Sequence, residues 1–278
     1  VENIFKTNEG AQEMRARSEI SAKEILREVG SVLRMSEAEA AKLAYDARNR
    51  FLADADQVTR LSHMLSEETA QKLAALIDPH LAARPPDATN RRGGGTIYLA
   101  TVDADGNAVS LIQSNYMGFG SGIVVDGISL QNRGSGLNLI DGHPNQVGPR
   151  KRPYHTIIPA FTTKDGKPVM SYGVMGANMQ PQGHMQTLVR MLDYKQNPQA
   201  ACDAPRWRFN AGLEINVESA MDPVTVQALA RRGHRVDVIN DSYQDFGAGQ
   251  FIWRAGDPKV EGYVAASDPR RDGQAVGF

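Results

Sequence analysis

Gly93-Gly94-Gly95-Thr96-Ile97-Tyr98-Leu99-Ala100-Thr101-Val102-Asp103-Ala104-Asp105-Gly106-Asn107 sets a glycine run directly before an alternating apolar segment that ends in Asp105-Gly106. Such alternation predicts a strand, and Asp-Gly between two alternating runs is the strongest short hairpin signal. Ala108-Val109-Ser110-Leu111-Ile112 resumes the pattern, so the reading is a hairpin headed by Thr96. Upstream, Arg84-Pro85-Pro86-Asp87 and Arg91-Arg92 before the glycines are turn-forming and unsuited to regular structure. One hydroxyl nucleophile therefore stands between a glycine linker and a strand. A threonine at a strand start also has a plain explanation, because β-branched residues favour strands.

The texture changes at this point of the chain. Before it, Ile20, Ile25, Leu26, Val29 and Leu33 recur at helical spacing over 18–33. A second helix is predicted from a Ser36 cap, with Glu39 completing a capping box, through Phe51. Ser66, Thr69-Ala70 and the Leu73-Leu76-Ile77 stripe predict a third, ended by Pro79. The first 95 residues thus read as helical. Beyond Thr96, strands are predicted over 96–103, 108–115, 123–130, 157–163, 169–174, 213–217, 235–239, 250–254 and 260–265, with helices over 180–194 and 222–232.

With 278 residues, 41% of them hydrophobic, the chain is long enough for one large domain or two small ones with an ample core. A net charge of −1 gives no general attraction to nucleic acid or to an anionic membrane. No apolar run is long enough to span a bilayer, and the amino end shows no signal-peptide pattern, which leaves a periplasmic or secreted location and a cytoplasmic one both open. Cys202 is the only cysteine, which excludes an internal disulfide and reads as a small buried hydrophobe. His63, His80, His143, His184 and His234 show no paired ligand spacing, so no catalytic metal is expected. The run Gly118-Phe119-Gly120-Ser121-Gly122 fits neither a Walker loop nor a dinucleotide fingerprint, and no cofactor is expected.

The wider pattern resembles the γ-glutamyltranspeptidase family, a branch of the hydrolases that use an N-terminal nucleophile. The resemblance rests on Thr96 with Val102-Asp103 and Gly106-Asn107-Ala108-Val109-Ser110, then on Phe119-Gly120-Ser121-Gly122-Ile123 and on Pro144-Asn145 leading into Lys151-Arg152-Pro153. It continues through Pro159, Asp165-Gly166-Lys167-Pro168, Gly173 with Gly176, Ala204-Pro205-Arg206 and Ser267-Asp268-Pro269-Arg270-Arg271-Asp272-Gly273. Upstream, Glu37-Ala38, Lys42-Leu43-Ala44-Tyr45, Arg48 and Phe51-Leu52-Ala53-Asp54 look like the helix closing the family's large subunit. Each piece is short, but their order and spacing together are specific. The implied fold is α+β, an αββα sandwich of two mainly antiparallel sheets covered by helices. Residues 1–95 would be the end of a large subunit and 96–278 a whole small subunit, together forming part of one composite domain. Roughly the first half of a full-length member lies outside the match, either as a separate chain or as a part lost or removed.

The resemblance implies cleavage of the Gly95–Thr96 bond. The Thr96 hydroxyl would attack the preceding carbonyl, and water would resolve the ester. The freed α-amine, with a reference pKa of about 7.7–8, can then take the proton of its own hydroxyl. By alignment the oxyanion donors are the N–H groups of Gly176 and Ala177. Alanine in place of the family's second glycine keeps the N–H, and the role requires a negative φ there. Ser114 falls where a second hydroxyl holds the nucleophile's amine. His155 and Thr156 fall on a serine pair that contacts substrate carboxylate, and Tyr116 and Arg133 replace amide side chains of the pocket. Gly136 stands where an aspartate would grip the substrate's ammonium. Losing that carboxylate removes about 1.5–3 kcal/mol of charge-assisted hydrogen bonding, while Arg133 favours an anionic acyl group. The implied partners are a small-molecule amide substrate and a separate N-terminal portion of the large subunit, as a heterodimer after processing or a higher oligomer. Two function classes follow. One is a γ-glutamyl or glutaryl-type amide hydrolase or acyltransferase matured at Thr96, and the other is a non-catalytic or unprocessed relative.

Overall fold

The computed structural model describes residues 37–86, 95–157 and 159–277, so the predicted helix over 18–33, the Ser36 cap and most of the glycine linker lie outside the described residues. In chain order, helices α1 (Glu37–Phe51), α2 (Leu61–Met64) and α3 (Glu67–Ala74) precede a hairpin of β1 (Thr96–Val102) and β2 (Ala108–Ser114). A small hairpin follows, β3 (Val124–Val125) and β4 (Ile128–Ser129), then β5 (Ala160–Lys164) and β6 (Lys167–Met175). Next come α4 (Gln180–Leu192), α5 (Pro198–Asp203), β7 (Trp207–Phe209), β8 (Glu214–Glu218), α6 (Pro223–Arg231) and β9 (Arg235–Ile239). The chain closes with α7 (Ser242–Asp245), β10 (Ala248–Arg254) and β11 (Tyr263–Ser267).

The β1–β2 hairpin forms as its alternation predicts, antiparallel from Thr96 opposite Ser114 to Val102 opposite Ala108. Its turn is held by the Asp103 carboxylate, which accepts the N–H groups of Asp105 and Asn107 at 3.0 and 2.8 Å. Side chains alternate across a strand. Thr96 and Tyr98 are buried on one face, while Ile97, Leu99, Val109 and Leu111 on the other are 48–71% exposed. The buried face packs on a second, antiparallel sheet of order β11-β10-β6-β5. There the Tyr98 ring occupies the space over Gly173, whose Cβ, had it one, would lie 2.6 Å from the ring. Ser110 Oγ donates to the Tyr172 carbonyl and Ser171 Oγ to the Val109 carbonyl, so hydroxyls tie the two layers together. The opposite face of the second sheet is covered by α4 and α5, where Met170, Tyr172, Val174, Leu188, Met191, Cys202 and Phe251 form a core. Helix, sheet and hairpin thus give three of the expected four layers of the α+β sandwich. Among the described residues no helix covers the outer face of the hairpin.

A second core joins α1 to the sheet β7-β8-β9. Ala38, Ala41 and Tyr45 pack on Trp207, Phe209, Ile215 and Val217, and Trp207 Nε1–H donates to Glu37 at 3.2 Å. β8 and β9 run parallel, joined through α6, whereas the other strand pairs among the described residues are antiparallel. Side-chain caps open three of the helices: Ser66 accepts the Thr69 N–H, Asn197 the Ala200 N–H and Asp222 the Val224 N–H.

Several boundaries depart from the sequence reading. The described part of the N-terminal region stops being helical after Ala74, because Pro79, Pro85 and Pro86 break the pattern. The predicted strand 123–130 is two short strands about Asp126-Gly127, which turns with φ of 50 and 79°. The strand predicted at 157–163 begins at Ala160 and shifts register between Thr162 and Thr163. Short α2, α7 and β7 lay below the length at which periodicity is readable. No helix among the described residues is long and apolar enough to cross a membrane.

Candidate active site

Thr96 opens β1 opposite Ser114, and the two hydroxyl oxygens lie 2.8 Å apart. Ser114 Oγ also accepts the N–H of Tyr116 at 2.9 Å, so its own proton is directed toward Thr96 or exchanged with it. Gly95, immediately upstream, has φ +90°, a left-handed conformation that a Cβ would strain, and a Cβ there would lie 3.2 Å from the Gly118 nitrogen. Thr96 itself is 7% exposed, enclosed on the inner face of the hairpin. Along that face the Ala100–Ser110 rung lies by Ser171–Tyr172 and Tyr98 by Gly173, a progression that runs from Thr96 toward Met175 and Gly176.

Arg133 gathers the next group. It is 9% exposed and lies in a tight 3-10 turn, Arg133–Gly136. Its Nη2 donates to the Ser114 carbonyl at 3.3 Å, its Nε to Gln131 at 3.0 Å and its Nη1 to Thr156 Oγ1, with Tyr116 beneath the guanidinium at 5.4 Å. Three of its five N–H groups are engaged, which leaves one on each Nη. Thr156 is fixed from the other side, because Gln180 Nε2 donates to its carbonyl at 2.8 Å. His155 points outward and is exposed. Partial desolvation, and then the cationic field of Arg133, hold its imidazole below the ordinary histidine range. Gly136 is not an open position. A Cβ there would lie 3.3 Å from Pro153 Cβ, and its carbonyl accepts Asn145 Nδ2 at 2.7 Å.

The glycine turn at the end of β6 differs from the expectation at one residue. Gly176 has φ +142°, and its Cβ position is filled by Gly247, 3.0 Å away. Ala177 has φ +53°, so the negative φ required for its oxyanion role is not met, and alanine sits in a region that L residues enter at a cost of about 1–2 kcal/mol. The following Asn178 is gripped by α1: Tyr45 Oη donates to its carbonyl, and Arg48 Nη1 donates to its Oδ1 at 3.3 Å. Thr96, Ser114, Tyr116, Arg133 and Thr156 therefore form one hydrogen-bonded and stacked group. Among the described residues no hydrogen bond joins Gly176 or Ala177 to it. Gln131, Gln180 and Asn178 support these elements without a sequence signal, since single amides at inward helix and loop positions show no pattern, whereas Tyr45 and Arg48 lie in the segment that carries the resemblance.

Other reactive side chains are structural. Burial pushes the Cys202 thiol up to about 12, far from a nucleophilic thiolate. His143 Nδ1 accepts the Asn145 N–H and lies 2.9 Å from Asn138 Nδ2, which leaves Nε2–H to donate to the Asn49 carbonyl at 2.8 Å. His184 spans the Gln180 carbonyl and the Val174 N–H in the same neutral manner. No group of three or more His, Cys, Asp or Glu among the described residues could hold a metal. A cavity of about 390 Å³ is lined by Asn210, Glu214, Asn216, Arg235, Val236 and Asp237, on a different sheet from Thr96. A buried network of Arg206, Asp268, Arg270 and Glu218 accounts for the Ala204-Pro205-Arg206 and Ser267-Asp268-Pro269-Arg270 motifs. Asp268 accepts Arg206 Nη2 at 2.7 Å and the Gly249 N–H at 2.9 Å, and Arg206 Nη1 donates to the carbonyl of Phe246 beside Gly247.

Comparison with known proteins finds the family model described as Gamma-glutamyltranspeptidase matching residues 22–278. The chain is 40% identical to the glutathione hydrolase-like YwrD proenzyme of Bacillus subtilis (strain 168), over 86% of this chain and 46% of that protein. It is 33% identical to the oxamate amidohydrolase proenzyme of Klebsiella pneumoniae, with the same 86% and 46% coverage. Among solved structures, cephalosporin acylase from Bacillus halodurans superposes with a TM-score of 0.78 at 43% identity, over 87% of this chain and 44% of that one. The chain spans about half the length of these relatives.

Proposed function

The chain belongs to the γ-glutamyltranspeptidase family, whose fold is that of the N-terminal-nucleophile hydrolases, and we propose that within it Thr96 is the nucleophile of an amide hydrolase or acyltransferase matured by cleavage of Gly95–Thr96. The observation that carries this reading is the 2.8 Å pairing of the Thr96 and Ser114 hydroxyls at the head of a strand entered through left-handed Gly95. In the maturation step, Thr96 Oγ adds to the Gly95 carbonyl and its proton passes to the departing Thr96 nitrogen. Water then cleaves the ester, leaving a Gly95 carboxylate and a free Thr96 amine. In catalysis that amine serves as base for its own hydroxyl, and acyl transfer proceeds through a Thr96 ester to water or an acceptor amine. The relatives' designation as proenzymes supports a processed, two-piece protein. In this reading 37–86 remains with 96–277 through the core of Tyr45, Trp207 and Phe209, and the remaining half of the polypeptide covers the apolar face of Ile97, Leu99, Val109 and Leu111. Amino-terminal sequencing of the purified complete protein tests it. A new terminus at Thr96, absent from Thr96→Ala, is expected, and a persistently intact chain in both would overturn it.

A second observation favours an acyl group that is anionic and lacks an α-amine. Arg133 keeps two free N–H groups beside the Ser114 carbonyl, and Pro153 fills the space at Gly136 where an ammonium-binding carboxylate would stand. The likeness to a cephalosporin acylase and an oxamate amidohydrolase is consistent with such donors. Rates on glutaryl and γ-glutamyl anilides decide between them. Glutaryl preference is expected, and a strong γ-glutamyl preference would sink the acylase reading.

A further inference from the structure

Helix α1 makes two grips with one face. At its end near the candidate site, Tyr45 and Arg48 hold Asn178, the residue after Ala177. One and two turns earlier, Lys42 and Glu39 hold the backbone of Ala83, twelve positions before Gly95. The Ala83 N–H donates to Glu39 Oε2, and Lys42 Nζ donates to the Ala83 carbonyl at 3.1 Å. Lys42 Nζ also donates to Glu39 Oε1 at 3.2 Å and lies 3.3 Å from His234 Nδ1, while His234 Nε2–H reaches Glu39 Oε1 at 2.9 Å. All three ammonium donors and both carboxylate oxygens are thus used. A second staple lies beside the first, the Ala82 N–H on the Arg232 carbonyl at 2.8 Å.

This cluster is an uneconomical way to attach a surface segment. Lys42, Glu39 and His234 are 0, 3 and 6% exposed, and desolvating a Lys–Glu charge pair commonly offsets what the pairing returns. Apolar side chains of similar volume would hold α1 to the 232–234 loop at least as well. What apolar side chains cannot do is bind one particular peptide by both its donor and its acceptor, and buried charged groups are best attested as devices for register.

We propose that Glu39, Lys42 and His234 are positioning residues for chain cleavage. They clamp Ala83 and so set where the arm leading to Gly95–Thr96 starts, relative to the turn at Gly176–Asn178 that the same helix holds. The proposal rests on the cleavage reading above. The clamp acts on the precursor alone, because once the bond is cut the arm carries no reacting atom.

The test uses the complete precursor and follows the rate of appearance of the Thr96 terminus. Replacing the cluster with apolar residues, E39L/K42M/H234L, is expected to slow cleavage about tenfold or more, since small misplacements of reacting groups carry penalties of that order. The melting temperature should hold or rise, and kcat of the eventually processed enzyme should stay within twofold of wild type. Inserting two glycines after Arg92, with the clamp intact, should slow cleavage similarly and add little to the triple variant. A triple variant cleaving at the wild-type rate overturns the proposal, as does cleavage that merely follows a fall in melting temperature. If the triple variant fails to fold, the insertion decides: an unchanged rate overturns the clamp. An uncleaved wild type would instead defeat the underlying reading and the clamp with it.

Discussion

Thr96 and Ser114 face each other across the first rung of the β1–β2 hairpin with their hydroxyl oxygens 2.8 Å apart, a pairing that the strand register makes possible. Because the register is set by the Asp105-Gly106 turn, nine residues after Thr96 and eight before Ser114, a serine that reads as ordinary strand sequence arrives opposite the proposed nucleophile. Ser114→Ala should therefore slow hydrolysis about tenfold, equal to about 1.4 kcal/mol, and leave the fold intact. Steady-state rates alongside far-UV circular dichroism check this, and an unaltered rate would remove Ser114 from the site.

Ala177 occupies the left-handed region with φ +53°. Ala177→Gly is expected to raise stability by about 1 kcal/mol, the relief of the Cβ clash exceeding the entropy glycine adds to the unfolded chain. Ala177→Val should lower it by about 2 kcal/mol or more, because a β-branched residue is least tolerant there. Urea midpoints of the three proteins give the order, and equal midpoints would show the turn to be unstrained.

A Cβ on Gly136 would lie 3.3 Å from Pro153 Cβ. Gly136→Asp alone should cost about 1–3 kcal/mol of stability through overpacking without producing γ-glutamyl preference. Combined with Pro153→Ala, the aspartate gains room, and the ratio of γ-glutamyl to glutaryl anilide rates should rise. A ratio unchanged in the double variant would place the donor pocket elsewhere.

Asp268 is buried against two arginines. Burial pushes its carboxyl up, but Arg206 and Arg270 outweigh this and hold it below the ordinary carboxylate range. A folded pKa below the unfolded value of about 3.9 means the contribution is complete above that pH and is lost as pH falls through the folded value. Stability should thus drop on acidification below about pH 4. Asp268→Asn should lose about 3–5 kcal/mol at pH 7 and show a shallower acid limb. Urea titrations at pH 7 and below pH 4 measure both effects, and parallel acid limbs would contradict the assignment.

The hairpin, its turn and the helices at Glu37–Phe51, Gln180–Leu192 and Pro223–Arg231 were legible because alternation, capping residues and helical spacing all act locally. Thr96 and Ser114 were legible as a pair only through the resemblance, since nothing in eighteen residues of separation marks two hydroxyls as partners. Arg133 was legible as a charge, but its contacts with Thr156 and the Ser114 carbonyl were not, as they join segments 23 and 19 residues apart. The left-handed Ala177 was legible only as a condition. Backbone geometry there is imposed by Gly247 packing on Gly176, a long-range contact that composition does not encode. Pro153 at Gly136 belongs to the same class, and it turns an apparent loss of a side chain into an occupied space.

The helix packed on Trp207 and Phe209 would give the proposed maturation an unusual economy of motion. A protein assembled from two independently made pieces must find its partner by diffusion, whereas here the joint would already be sealed with hydrocarbon before the peptide link is lost. Scission would then change the connectivity of the molecule while leaving its shape alone, and the new chain end would come into being inside a finished mould.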